Sequence, residues 1–232
     1  MKQFTISQKI YMGVKRVIDI LLSALALILL SWLFLILCIA IKIDSRGPIL
    51  FKQKRVGIHK THFMIYKFRT MRIDTPKDMP THMLADPEQY ITRVGKFLRK
   101  SSLDELPQII NILMGKMSIV GPRPALWNQY DLIEERDKYG ANDVMPGLTG
   151  WAQINGRDEL EIDVKAKLDG EGITTPISAV WNTPASFITR LTASTPPAIS
   201  NNITINFTML FLAAIRLFLP SSDRYRRKNL MN

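Results

Sequence analysis

Asp104 and Glu105 stand side by side in Ser101-Ser102-Leu103-Asp104-Glu105-Leu106-Pro107-Gln108, directly after the basic Arg99 and Lys100. Ser102 and Glu105 have the spacing of a capping box, in which hydroxyl and carboxylate satisfy the first free backbone donors of a helix. The positive end of a helix favours anions and lowers a carboxylate's pKa. An ionised Asp104 at that point is a candidate nucleophile toward phosphorus. A helix start with no chemistry would look the same, Glu105 capping and Asp104 complementing the dipole.

Other polar residues fall in settings that fix their direction. Lys67 and Arg69 share one face of a predicted strand, Phe63 to Met71, by its period of two; a solvated strand face would also place them so. Arg123 lies between Pro122 and Pro124, which hold the backbone extended. A guanidinium held this way suits paired hydrogen bonds to phosphate, and an ordinary surface turn is the other reading. Between Pro146 and Arg157, glycines lie beside Trp151, Gln153, Asn155 and Arg157. These are candidate donors to a ligand, or parts of a plain turn-strand-turn.

The elements around them follow from pattern. Ile20 to Ile41 carries no charge and is long enough to cross a hydrocarbon core of roughly 30 Å as a helix. Lys9, Lys15 and Arg16 precede it, and Lys42, Arg46, Lys52, Lys54 and Arg55 follow, so both flanks prefer the cytoplasmic side. Hydropathy alone favours a simple spanning helix, and a bent helix returning to one leaflet answers the flanks. The run has no proline, and Ser23 and Ser31 are its only hydroxyl residues. A short strand is predicted at Ile49 to Phe51, and a polar loop from Ile73 to Gln89. Ile91, Val94, Phe97 and Leu98 lie at helical spacing opposite Arg93, Lys96, Arg99 and Lys100, a basic amphipathic helix suited to a membrane surface or an anionic ligand. Leu103, Leu106, Ile109, Ile110 and Leu113 stripe the next helix, with Gly115 as its stop. Further helices are expected over Trp127 to Tyr139 and Asp158 to Glu171. From Gly172 to Ile215 the only charge is Arg190, and no period is legible.

The chain's 232 residues carry 31 Lys+Arg against 20 Asp+Glu, a formal net charge of +11 that points to anionic partners. The single cysteine, Cys38, excludes a disulfide framework and a cysteine zinc site. His59 and His62 have no further ligands nearby and read as surface residues. The basic residues are scattered and match no nucleic-acid-binding motif, so nucleic acid is not an expected partner.

Lys15-Arg16-Val17-Ile18-Asp19, Gly47-Pro48-Ile49-Leu50-Phe51-Lys52-Gln53, Tyr66-Lys67-Phe68-Arg69-Thr70-Met71, the acidic stretch, Gly121-Pro122-Arg123-Pro124 and Gly150-Trp151-Ala152-Gln153-Ile154-Asn155-Gly156-Arg157 occur in that order. Together they resemble the bacterial sugar transferase family, the monotopic phosphoglycosyl transferases, over roughly Lys15 to Glu171. The resemblance implies transfer of a sugar-1-phosphate from a UDP-sugar to polyprenyl (undecaprenyl) phosphate, with release of UMP. It implies Asp104 as the nucleophile of a covalent phosphosugar intermediate, Glu105 beside it, and Mg2+ held at Asp104 and Glu105. Arg99, Arg123, Pro122, Pro124, Lys67, Arg69, Gln153, Asn155, Arg157 and Asp169 are the implied substrate-binding set.

The expected fold is helix-rich α/β and membrane-associated. Residues 1–43 form a re-entrant membrane helix, and 44–171 a small cytoplasmic catalytic domain with short strands and amphipathic interfacial helices. An atypical tail, 172–232, departs from the family pattern, as a shifted reading frame or a diverged end would; 203–219 is a candidate membrane-associated helix. The implied place is the bacterial inner membrane, against its inner-leaflet lipids and facing the cytoplasm, with downstream glycosyltransferases as further partners. The competing reading is a catalytically impaired membrane scaffold of a glycan-assembly complex.

Overall fold

The computed structural model describes residues 5–75, 88–155 and 160–174. Arg157, most of the predicted polar loop and the tail from residue 175 on, with its 203–219 segment, lie outside the described residues. A capping box between Thr5 and Gln8 starts helix α1, Ile6–Leu29, so this helix begins well before the uncharged run. Helix α2, Ser31–Asp44, follows after one residue, and the two are bent by 62°. The uncharged run is thus two helices and not one.

The cause of the bend is local. Leu30 leaves helical geometry at φ −96° and ψ 4°, and the Ser31 hydroxyl donates to the Ile28 carbonyl at 2.8 Å. A serine that takes a backbone carbonyl from the helical ladder can bend a helix without proline. Among the described residues no single helix is long and apolar enough to cross a membrane; the bent pair passes that test only together.

One side of the bent pair packs on the domain. Ala26, Leu37 and Ile41 are buried with Phe68, Leu98, Leu106 and Ile109. The other side leaves Val17, Leu21, Leu25, Ile28, Trp32, Leu35, Ile36 and Ile39 exposed.

Strands β1, Leu50–Val56, and β2, His62–Phe68, form an antiparallel hairpin. Helix α3, Arg93–Ser101, then packs on the chain after β2, where a side chain at Gly95 would strike the Thr70 carbonyl. The predicted apolar stripe of α3 holds for Leu98 but not for Phe97, which is 57% exposed beside Arg93, Lys96 and Lys100. A short 3-10 turn, Leu103–Glu105, leads into helix α4, Gln108–Leu113. Gly115 ends that helix with φ +75°, which only glycine adopts readily.

Strands β3, Ser118–Val120, and β4, Gly147–Thr149, pair in parallel, with helix α5, Tyr130–Tyr139, in the crossover. Short helix α6, Trp151–Ile154, and helix α7, Ile162–Thr174, complete the described chain. Helix α7 therefore continues past Glu171. Among the described residues the result is a helix-rich α/β fold with two small two-stranded sheets.

Candidate active site

The acidic pair does not start an α-helix. Ser102 is left-handed at φ 53°, its side chain does not cap the turn, and Asp104 and Glu105 lie in the 3-10 turn itself. The capping-box expectation fails because the Glu105 carboxylate is taken by residues distant in sequence. Its Oε1 accepts from Lys67 Nζ at 2.8 Å and from an Arg123 terminal nitrogen at 2.9 Å. Burial pushes the Glu105 carboxyl up, but Arg123 and Lys67 outweigh it and hold it well below the ordinary glutamate range.

Asp104 contrasts with its neighbour. Among the described residues nothing hydrogen-bonds to its carboxylate, while Lys67, Arg99 and Arg123 act on it through space. Burial raises its pKa, the Glu105 charge adds to the rise, and the three cations oppose it. This corrects the expectation that a helix dipole would lower it. A raised pKa marks a more basic carboxylate, hence a better nucleophile once ionised, and the cations favour that ionised form.

Each cation is fixed by its own element. Lys67 sits on β2, whose backbone is held at Met64 and Tyr66 by the side chain of Asn111, fully buried on α4. That amide sets the strand carrying Lys67 against the helix that follows Glu105. Arg99 rides on α3 and donates through Nε to the Thr70 hydroxyl at 2.9 Å. Arg123 is held by its backbone: the carbonyls of Pro122, Arg123 and Pro124 accept from Gly147 N, Arg136 and Arg55 respectively. The expected rigidity of the Pro-Arg-Pro segment thus comes from three anchored carbonyls as well as from proline.

Other sequence-predicted residues take different places. Arg69 lies beyond the end of β2, and its guanidinium donates to the carbonyls of Ser45 and Arg46, just past α2. It fastens the bent pair instead of facing the acidic turn. Asp169 is buried on α7 and accepts from Arg136, also buried, at 2.9 Å. Since Arg136 also holds the Arg123 carbonyl, Asp169 serves the site through two intermediaries. The Gln153 amide donates to the Leu148 carbonyl, and Asn155 to that of Trp151, so both amide donors serve local backbone. The glycines nearby are needed for close approach of backbone: a side chain at Gly147 or Gly150 would meet Gly121 at 2.1 or 2.2 Å.

Sequence reasoning missed Arg136, Asn111, Thr70 and the Lys15-Arg16-Asp19 set as supporting residues. Two signals bore on some of them: Lys15, Arg16, Asp19 and Thr70 lie in motifs that carry the resemblance, and Lys15 and Asp19 lie one helical turn apart and pair at 3.3 Å.

An acidic pair ringed by three cations, with one carboxylate locked and the other open, sits at the junction of α3, α4, β2 and the segment after β3. The chain belongs to the bacterial sugar transferase family, whose model matches residues 10–180. It is 43% identical over 152 residues to the undecaprenyl-phosphate glucose phosphotransferase of Komagataeibacter xylinus, covering 63% of this chain. It is 44% identical over 146 residues to the UDP-glucose:undecaprenyl-phosphate glucose-1-phosphate transferase of Escherichia coli, covering 61%. Identity to an uncharacterized sugar transferase of Bacillus subtilis is 39% over 158 residues, covering 68%. The chain spans 29% and 31% of the first two relatives and 76% of the third.

Proposed function

We propose that this chain is a phosphoglycosyl transferase that moves a sugar-1-phosphate from a UDP-sugar to undecaprenyl phosphate. The names of its relatives supply the donor and acceptor classes. The observation that carries the reading is the asymmetry of the acidic pair: Glu105 is bound by Lys67 and Arg123, while Asp104 stands open in the field of the same cations and Arg99.

In the proposed reaction an Asp104 oxygen attacks the phosphorus that bears the sugar. The bond from that phosphorus to the bridging oxygen breaks, and UMP leaves with that oxygen. A phosphate oxygen of undecaprenyl phosphate then attacks the same phosphorus, expelling the Asp104 carboxylate and forming the lipid diphosphate sugar. The anomeric C–O bond is never broken, so its configuration is retained. Splitting the transfer lets a soluble donor and a lipid acceptor use one site in turn. Lys67, Arg99 and Arg123 offset charge on the transferring group. Glu105 keeps Lys67 and Arg123 in place.

The donor set suits Mg2+. Among the described residues no group of three or more acidic, His or Cys side chains could hold a metal, and one Glu105 oxygen is already used by two cations. Asp104 and the other Glu105 oxygen would hold the ion together with donor phosphates and water, the usual mode for magnesium. Its chemistry there is to neutralise phosphate charge.

The bent α1–α2 pair, apolar on its outward side and basic at both ends, is the proposed re-entrant membrane segment. Phe97, Arg93, Lys96 and Lys100 on α3 form the proposed contact with inner-leaflet lipid. In this reading the site lies on the cytoplasmic face of the bacterial inner membrane, at the depth of the acceptor phosphate. Single cysteines at Thr5 and Ser45, in a Cys38→Ser background, would both react with an impermeant reagent from the cytoplasmic side; opposite sidedness would rule the re-entrant reading out.

Detergent-solubilised full chain, given undecaprenyl phosphate, Mg2+ and a panel of UDP-sugars, should release UMP. Well-folded protein silent across the panel would favour the scaffold reading instead.

A further inference from the structure

Helix α1 reaches into the domain at one turn. The Arg16 guanidinium donates to the carbonyls of Ile112 at 2.7 Å and Leu113 at 3.1 Å, the last turn of α4. Terminal carbonyls of a helix have no partner within it and carry partial negative charge, so a cation there is favourable. One turn further on, Asp19 is only 4% exposed and accepts from the Ser118 hydroxyl at 2.6 Å and the Ile119 amide at 3.2 Å, both on β3. Lys15 bonds both Asp19 and Ser118 and completes the buried set.

The two segments so gripped lead to the two halves of the site. Helix α4 starts at Gln108, just after the turn carrying Asp104 and Glu105; β3 ends at Val120, just before Arg123. On the same stretch of α1, Val17 and Leu21 face outward and are 57% and 64% exposed. One short piece of helix thus carries apolar groups on one side and the ties to both halves on the other.

The geometry points to Arg16 and Asp19 as positioning residues, coupling the seating of the apolar α1–α2 pair to the register of Glu105 against Arg123. The inference rests on the proposed reaction, because only there does that register set a rate. A helix displaced relative to the domain would drag the end of α4 and the start of β3 together, and the Glu105–Arg123 contact spans the gap between the segments they lead to.

The test uses the full chain in detergent micelles, with Arg16→Met, Arg16→Lys and Ser118→Ala. Amide hydrogen exchange is followed segment by segment, alongside kcat and donor KM for UMP release. For Arg16→Met the expected kcat is ~10²-fold lower with donor KM changed less than about threefold, because misplacement of reacting groups costs rate more than binding. Exchange rises at 103–106 and 121–124 while the β1–β2 hairpin keeps its protection. Arg16→Lys recovers part of the rate, since an ammonium reaches one carbonyl and not the pair. Ser118→Ala shows the same localised pattern more weakly, and it decides the matter should Arg16→Met fail to fold. Unchanged exchange at both segments, or exchange rising everywhere with kcat per folded molecule intact, would overturn the coupling. Localised exchange in a chain whose wild type releases no UMP would uphold the coupling and remove the reaction.

Discussion

The acidic pair makes opposite demands on stability, and this can be measured. Glu105 binds two cations through one oxygen, and the three side chains are only 15%, 18% and 20% exposed for Glu105, Lys67 and Arg123. Removing one charge from a buried pair costs about 3–5 kcal/mol, mostly from the charge left behind. Glu105→Gln keeps an amide oxygen that accepts one bond, so about 3 kcal/mol is the expected loss, or roughly 6–12 °C in unfolding temperature for a chain of this size. Asp104→Asn goes the other way. Burial raises the Asp104 pKa, so its ionised form is less favourable in the fold than in the unfolded chain, and a neutral side chain removes that penalty. Asp104→Asn should unfold at or above the wild-type temperature while having no turnover. The pH dependences also differ in sign. The lowered Glu105 value gives stability that is present above the ordinary glutamate range and is lost as pH falls through the folded value. The raised Asp104 value gives stability that is full below the ordinary aspartate range and is lost as pH rises through the folded value. Thermal unfolding of the three proteins in detergent, from about pH 2 to pH 8, reads both effects. Equal shifts for the two variants, or a Glu105→Gln protein within about 2 °C of wild type, would refute the locked-and-open description.

Other substitutions probe the supports. Gly147→Ala places a side-chain carbon 2.1 Å from the Gly121 amide nitrogen and should destabilise by about 3 kcal/mol or more in denaturant unfolding. Gly13→Ala, which meets nothing within 4 Å on helix α1, should instead gain about 0.5–1 kcal/mol. Asp169→Asn leaves Arg136 buried without its anion; a loss of about 3–5 kcal/mol is expected by the same assay, with donor KM raised as Arg123 loosens. Arg123→Lys should lower activity far more than stability, because a point charge lacks the planar fork for phosphate; equal losses in both would mean that Arg123 serves only the fold.

How much of this was legible in the sequence depended on how far each partner lay along the chain. The alternation of buried Phe63 and Ile65 with exposed His62 and Met64 marks β2, and Gly115 marks the end of α4, because both signals are local. The acidic pair was legible as a candidate site but not as a structure: Ser102 and Glu105 match a capping box, yet Lys67 and Arg123 take the carboxylate first. Period two groups Lys67 with Arg69, but the strand stops at Phe68 and Arg69 turns to α2. Phe97 follows the apolar spacing of α3 and is nevertheless exposed. The bend at Leu30 rests on one hydroxyl, Ser31, that hydropathy ignores. The buried Arg136–Asp169 pair links α5 with α7, and no single window of sequence contains both.

The most direct test of the proposed reaction is the intact mass of the protein after incubation with a donor UDP-sugar and Mg2+ and no lipid acceptor. The account predicts a gain equal to one sugar phosphate, UMP released in matching amount, discharge of the adduct by undecaprenyl phosphate, and no gain in Asp104→Asn. UMP release that requires the acceptor, with no adduct at any time, or an adduct that survives in Asp104→Asn, would contradict it.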